Sequence, residues 1–154
     1  MKGVLQRVLR ARVLVDDVVV GEIEQGLLVY VGFAKADSPS LFPKFLEKVL
    51  RTRMFENDLG KTDLSVLDKE GSVLFVSQFT LYGSLERGRR PSFDDAMPPE
   101  EAEQLYRGFE SFASAYASEG KQPRHVAFGK FRSHMRVESV NDGPFTLLLE
   151  VAST

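Results

Sequence analysis

Leu27-Leu28-Val29-Tyr30-Val31-Gly32-Phe33 decides how this chain folds. The run is almost wholly apolar and is entered from Gln25-Gly26, which predicts a strand covered on both faces and therefore central to a sheet. Upstream, residues 4–15 and 18–24 are rich in valine and flank Asp16-Asp17, a two-residue break suited to a hairpin turn. Two strands therefore lead into the central one. Downstream, Ser38-Pro39 reads as a helix cap followed by proline at the first helical position, with Phe42, Phe45, Leu46, Val49 and Leu50 at helical spacing. Residues 54–67 hold the turn Glu56-Asn57-Asp58-Leu59-Gly60 between short extended pieces, and residues 72–79 read as a second apolar strand. A second helix is expected from Pro99 to Gly120, with Ala102, Leu105, Tyr106, Phe109, Ala113 and Tyr116 on one stripe. Its first turn holds Glu100, Glu101 and Glu103, where the helix dipole favours acids. Residues 135–151 alternate around Asn141-Asp142-Gly143-Pro144 and read as a closing hairpin. Hairpins at both ends suit two helices over layered, mixed sheets better than a doubly wound parallel sheet.

With 154 residues, 43% hydrophobic and 27% charged, the chain has the make-up of one globular domain over residues 1–154. Folding at that size buries roughly 68–70% of the unfolded surface, enough for a core without staples. The absence of cysteine excludes disulfides, thiolate metal sites and cysteine nucleophiles. Two histidines, His125 and His134, argue against a multi-histidine metal site, so neither a metal nor another cofactor is expected. The first residues lack the apolar stretch of a signal peptide, and no run approaches 18 apolar residues. A cytoplasmic address is expected, with no membrane partner.

The balance of 20 basic and 22 acidic residues argues against a generic nucleic-acid binder, DNA included. That average conceals a strong segregation. Residues 121–136 hold Lys121, Arg124, Lys130, Arg132, Arg136 and both histidines, with no acid among them. The bland reading is a solvated basic face. Phe128 and Phe131 within it also suit a nucleobase pocket, because bases stack on aromatic rings. Arg87, Arg89 and Arg90 extend the basic surface toward a phosphate backbone.

Two further places break local packing rules. Ser77-Gln78-Phe79-Thr80 puts polar side chains directly after the buried run Val73-Leu74-Phe75-Val76, and strand ends carry catalytic groups on rigid scaffolds as well as ordinary loops. Asn141-Asp142-Gly143-Pro144 is a turn signal followed by a proline that removes a strand donor. Familiar machinery is missing: no Gly-x-Ser-x-Gly elbow, no recognisable histidine triad and no phosphate loop occur.

Gln6-Arg7-Val8, Ser77-Gln78-Phe79-Thr80-Leu81, Arg90-Pro91-Ser92-Phe93, Phe131 four residues before Met135, and Asn141-Asp142-Gly143-Pro144-Phe145-Thr146 together resemble the D-aminoacyl-tRNA deacylase family. Order and spacing agree over essentially the whole chain. The resemblance implies a three-layer α/β/β fold of mixed, largely antiparallel sheets with two helices, the D-tyrosyl-tRNA deacylase-like fold. It implies a cytoplasmic homodimer that hydrolyses the ester between a D-amino acid, or glycine, and the 3′-terminal adenosine of tRNA. By the same resemblance Gly143-Pro144 carries a cis peptide, enters the partner's site, and screens out L side chains with its carbonyls. Arg7 is then expected to hold that pair, Phe131 to line the adenine pocket and Met135 to wall the site.

The chemistry implied falls on Ser77, Gln78, Phe79 and Thr80. An aminoacyl ester is already activated, so backbone donors near Ser77 and Phe79 suffice to stabilise an oxyanion, with the neighbouring ribose hydroxyl positioning water. Thr80 is the rival nucleophile, but it lacks an evident base. Phe145 departs from the family's usual valine. A related deacylase of mischarged L-alanyl-tRNA has an aromatic residue there and a trans Gly-Pro bond, although its other motif begins Pro-Gln-Ala-Thr. That enzyme and a non-catalytic RNA-binding module remain the alternative readings.

Overall fold

The computed structural model describes residues 1–152, with the side chain of Pro144 outside that description. The elements are β1 (Lys2–Val15), β2 (Val18–Ile23), β3 (Gly26–Gly32), α1 (Phe42–Arg51), β4 (Phe55–Glu56), β5 (Thr62–Leu64), β6 (Ser72–Ser77), α2 (Pro99–Ala115), β7 (Val126–Phe128) and β8 (Arg136–Glu150). The first hairpin forms where expected. Asp16 and Asp17 both take positive φ, 50° and 63°, the left-handed pair that a two-residue hairpin turn requires and that aspartate tolerates.

β1 is the longest-range organiser of the main sheet. Its first half pairs antiparallel with β3, its second half with β2, and β8 runs antiparallel along nearly all of it. β6 continues the sheet parallel to β3, and β7 lies parallel to β6. β3 therefore sits inside the sheet, as its apolar run requires, and six of its seven residues are buried.

The two faces of the sheet are covered differently. Leu27, Val29 and Val31 point toward α1 and α2, where the Phe109 ring lies 5.1–6.4 Å from Phe33, Phe42, Phe45, Phe75 and Tyr106. Leu28 and Leu74 point the other way, into a second core with Val8, Val13, Ile23 and Ala127. That core closes because β2 curls over β6 and β7. A side chain at Gly21 would meet the Phe128 carbonyl at 2.3 Å, so only glycine permits the approach. Helices, central strands and the curled hairpin make the three layers.

Three boundaries differ from the sequence reading. Ser38-Pro39 opens a 3-10 turn over Pro39–Leu41 before α1 begins at Phe42, and the Ser38 hydroxyl lies against Ser40 Oγ, capping nothing. α2 ends at Ala115 rather than Gly120, because residue 116 is already extended and Glu119-Gly120 form a separate left-handed turn. The closing hairpin is absent: Arg136–Glu150 is one strand whose partner throughout is β1. Asn141–Pro144 lies within that strand, where Gln6 pairs Thr146 and Val8 already pairs Asn141. Asp142, Gly143, Pro144 and Phe145 are therefore extruded opposite Arg7, as a wide interruption of the ladder. No helix among the described residues is long and apolar enough to cross a membrane.

Candidate active site

β6 delivers Ser77 to the sheet's end beside Val31, and the Gln78 amide closes the ladder on the Val31 carbonyl at 2.7 Å. The chain then tightens into a 3-10 turn over Phe79–Tyr82. The opening N–H groups of such a turn have no carbonyl behind them, and the Phe79 and Thr80 amides find no acceptor among the described residues. Gly32 makes the turn possible. A Cβ there would sit 2.9 Å from the Gln78 carbonyl.

A cavity of about 790 Å³ opens at this point. Ser77, Gln78 and Phe79 form one side, Phe131 and Met135 another, and Phe93 and Met97 a third. Phe131 is held by Tyr106, whose ring centroid is 5.5 Å away, and Phe93 packs on Phe79 at 5.1 Å. Tyr106 in turn donates its hydroxyl to the Phe75 carbonyl at 3.3 Å. Burial pushes its pKa upward, the Glu110 charge adds to that, and the Ser77 backbone N–H opposes both. On this wall of the cavity the Phe79 amide is a free donor.

Among the described residues, the cavity's walls contain no carboxylate and no lysine, and Arg132 and His134 are the ionisable side chains in them. Neither His125 nor His134 hydrogen-bonds to a serine or threonine among the described residues, so the walls offer no assembled nucleophile and base. No group of three potential metal ligands converges among the described residues either.

Of the residues singled out from sequence, Ser77, Gln78, Phe79, Phe131 and Met135 meet in this cavity. Thr80 is exposed beside it, its hydroxyl accepting from Gln78 Nε2 at 2.5 Å. Arg7 and Gly143 lie elsewhere, as a second assembly, while the side chain of Pro144 falls outside the described residues. Arg7 is buried, and donates to the carbonyls of Met54 at 2.7 Å, Asp142 at 3.1 Å and Gly143 at 3.4 Å. Its Nε also lies 3.1 Å from the Asp142 carboxylate, and its guanidinium 4.7 Å from the centre of the Phe145 ring. Asn141 completes the frame by donating to the Arg7 carbonyl at 2.8 Å. A Cβ at Gly143 would meet nothing within 4 Å, so the extruded segment faces outward.

The basic stretch is less free than its sequence implies. Lys121 pairs with Asp68, Arg136 with Asp17, and Arg132 with Glu100 and Glu103 near the start of α2. Phe128 stacks on Phe75 at 5.8 Å and does not reach the cavity. Phe93 and Met97 complete the walls without having been singled out singly. Phe93 belongs to a recognisable motif, and Met97 had no distinguishing signal.

A sequence model described as D-Tyr-tRNA(Tyr) deacylase matches residues 4–150. A protein named D-aminoacyl-tRNA deacylase from Thermotoga petrophila is 47% identical over 150 residues, covering 97% of each chain. One of the same name from Symbiobacterium thermophilum is 46% identical over 154 residues, covering all of this chain and 98% of its own. Among solved structures, one titled c-Myc DNA Unwinding Element Binding Protein superposes with a TM-score of 0.88 at 37% identity, over 99% of this chain and all of that one. A probable eukaryotic D-amino acid tRNA deacylase shares the fold, with a TM-score of 0.80 at 21% identity over 97% of this chain and 98% of its own. On sequence match, coverage and fold together, the chain belongs to the D-Tyr-tRNA(Tyr) deacylase family.

Proposed function

We propose that this chain hydrolyses D-aminoacyl-tRNA, and glycyl-tRNA, to free tRNA and the amino acid. The observation that carries the reading is a cavity lined by Phe79, whose backbone amide has no acceptor, with the equally free Thr80 amide on the turn beside it and no carboxylate in the walls among the described residues. An activated ester needs little more. Water adds to the ester carbonyl, the amides receive the negative oxygen, and the ribose oxygen leaves and takes up a proton. Each such donor commonly contributes ~2.7–4 kcal/mol to the transition state. The ribose hydroxyl next to the ester positions the water, which fits the lack of an assembled protein base. The adenine stacks against Phe131, with Met135 closing the wall.

Chirality is read by the other assembly. Gly143 and Pro144, presented by Arg7 as a Gly-cisPro pair, enter the cavity of a second protomer and set their carbonyls against the substrate's α-carbon, where an L side chain collides. The support is geometric: Gly143 lies outside its own protomer's cavity and faces open space. Glycine has no side chain to exclude and passes the screen.

The test is incubation with D-tyrosyl-, L-tyrosyl- and glycyl-tRNA. Release of the D-amino acid and glycine, with L-tyrosyl-tRNA spared, is the expected result. Release of neither tyrosine enantiomer would remove the enzymatic reading. Release of L-alanine from mischarged tRNA would favour the related L-alanyl enzyme, for which Phe145 is the one residue that speaks.

A further inference from the structure

We infer that the loop Ser84–Ser92 grips the phosphates of the RNA strand whose 3′ end enters the cavity, chiefly through Arg89 and Arg90. The inference rests on the function proposed above. The loop is a closed structure: Ser84 and Ser92 exchange backbone hydrogen bonds at 2.8 and 2.9 Å, so its two ends are pinned together. Both ends come from the cavity, since the chain enters the loop from the 3-10 turn that begins at Phe79 and leaves it straight into Phe93. Arg90 is three residues from Phe93, within roughly 11 Å of chain. Arg90 is exposed and is not among the cavity's lining residues, so its side chain lies outside the cavity within that span of it.

Between the pins lie Leu85, Glu86, Arg87, Gly88, Arg89, Arg90 and Pro91, three cations against one acid. All seven are exposed. Arg87 has a loose partner, Asp94 at 3.8 Å, whereas Arg89 and Arg90 form no ion pair among the described residues. Across the cavity, Arg132 of the more obviously basic segment is already held by Glu100 and Glu103. Of the arginines flanking the cavity mouth, Arg89 and Arg90 are thus the two that form no ion pair among the described residues. Gly88 holds a left-handed φ of 125°, which turns the chain so that Arg87 and Arg89 flank the bend, and Pro91 stiffens its exit. Forked guanidinium donors suit phosphate oxygens and carry no information about the base, so the loop adds affinity for the strand and leaves recognition of the terminal nucleoside to the cavity.

The test compares wild type with the double variant Arg89→Ser/Arg90→Ser. Both positions are exposed, and thermal melting checks that the fold is intact. Three readouts are taken: kcat/KM on D-tyrosyl-tRNA across a salt series, kcat/KM on D-tyrosyl-adenosine, and binding of uncharged tRNA by fluorescence anisotropy. The variant should lose about tenfold on the tRNA ester and bind uncharged tRNA correspondingly less well. Its logarithmic salt slope should fall by roughly 1.4, as expected for two lost contacts to a single strand. The adenosine ester, which carries no phosphate, should be cleaved at the wild-type rate. Unchanged tRNA binding and salt slope, or an equal loss on both esters, overturns the inference. If wild type cleaves neither ester, the proposed activity fails by itself, and the anisotropy comparison still decides whether these arginines hold RNA.

Discussion

Arg7 and Gly143 are 136 residues apart in sequence, yet Arg7 Nη2 donates to the Gly143 carbonyl at 3.4 Å. The same guanidinium spans from Met54 on one side to Asp142 on the other, so one buried side chain fixes where the extruded part of β8 sits. Arg7→Ala should destabilise the fold by about 2–4 kcal/mol, since it strips donors from buried carbonyls and releases the Asp142 carboxylate. Arg7→Lys keeps the charge but loses the planar fork. Urea unfolding should place it between wild type and alanine, while its preference for D- over L-tyrosyl-tRNA falls with the misplaced segment. A lysine variant with the full preference would detach Arg7 from chiral selection.

Thr80→Ala should keep deacylase activity within about tenfold. The Thr80 hydroxyl is exposed and accepts from an amide, with no imidazole, amine or carboxylate bonded to it among the described residues, so nothing there removes its proton. Its backbone amide survives the substitution. Single-turnover rates on D-tyrosyl-tRNA make the comparison, and a thousandfold loss in a folded variant would make the hydroxyl the nucleophile.

Local chemistry made much of this architecture legible. Asp16-Asp17 announces its hairpin because both residues tolerate left-handed backbone, and residues 27–33 announce a central strand because nearly all of them are apolar. Ser77-Gln78 stands out because polar residues end a buried run. What the sequence hid is non-local. Alternation on either side of Asp142-Gly143 looks the same in a hairpin as in one interrupted strand, and only the pairing with β1 separates them. The basic stretch read as free because Asp17, Asp68, Glu100 and Glu103, which neutralise most of it, come from three other parts of the chain. Arg7 carried no local mark of burial, since its partners lie at residues 54 and 142–145.

Asp68 gives the fold a dependence on acid. Its carboxylate accepts from the Ser65 amide at 2.9 Å and the Ser65 hydroxyl at 2.7 Å, and the Ser65 oxygen accepts from the Asp68 amide in return. The Ser65 bonds, aided by Lys121 and Arg51, hold the Asp68 pKa below the usual aspartate value. Because the folded pKa is the lower one, this stabilisation is complete above the unfolded value of roughly 3.9 and disappears as pH falls through the folded one. Asp68→Ala should cost about 1 kcal/mol at neutral pH and converge on wild type in strong acid. Denaturation midpoints across that range test it, and a gap independent of pH would contradict the assignment.

β8 presents an outer edge with no strand partner among the described residues, and it carries apolar side chains that a solvated edge normally avoids. Leu148 is 86% exposed, with Leu147 at 39% and Val140 at 38% on the same strand. The extruded Gly143 lies between them in sequence, so a second copy meeting this edge would also meet the segment proposed to screen its substrate. Leu148→Glu places a charge where that contact forms and touches neither the cavity nor the Arg7 assembly. Wild type should sediment as a dimer and the variant as a monomer. Deprived of its neighbour's Gly143, the variant should then lose at least tenfold of its preference for D- over L-tyrosyl-tRNA while the free amides of Phe79 and Thr80 still support ester hydrolysis. A monomeric variant with the preference intact would place the screen within one protomer, and a dimeric one would move the interface off β8.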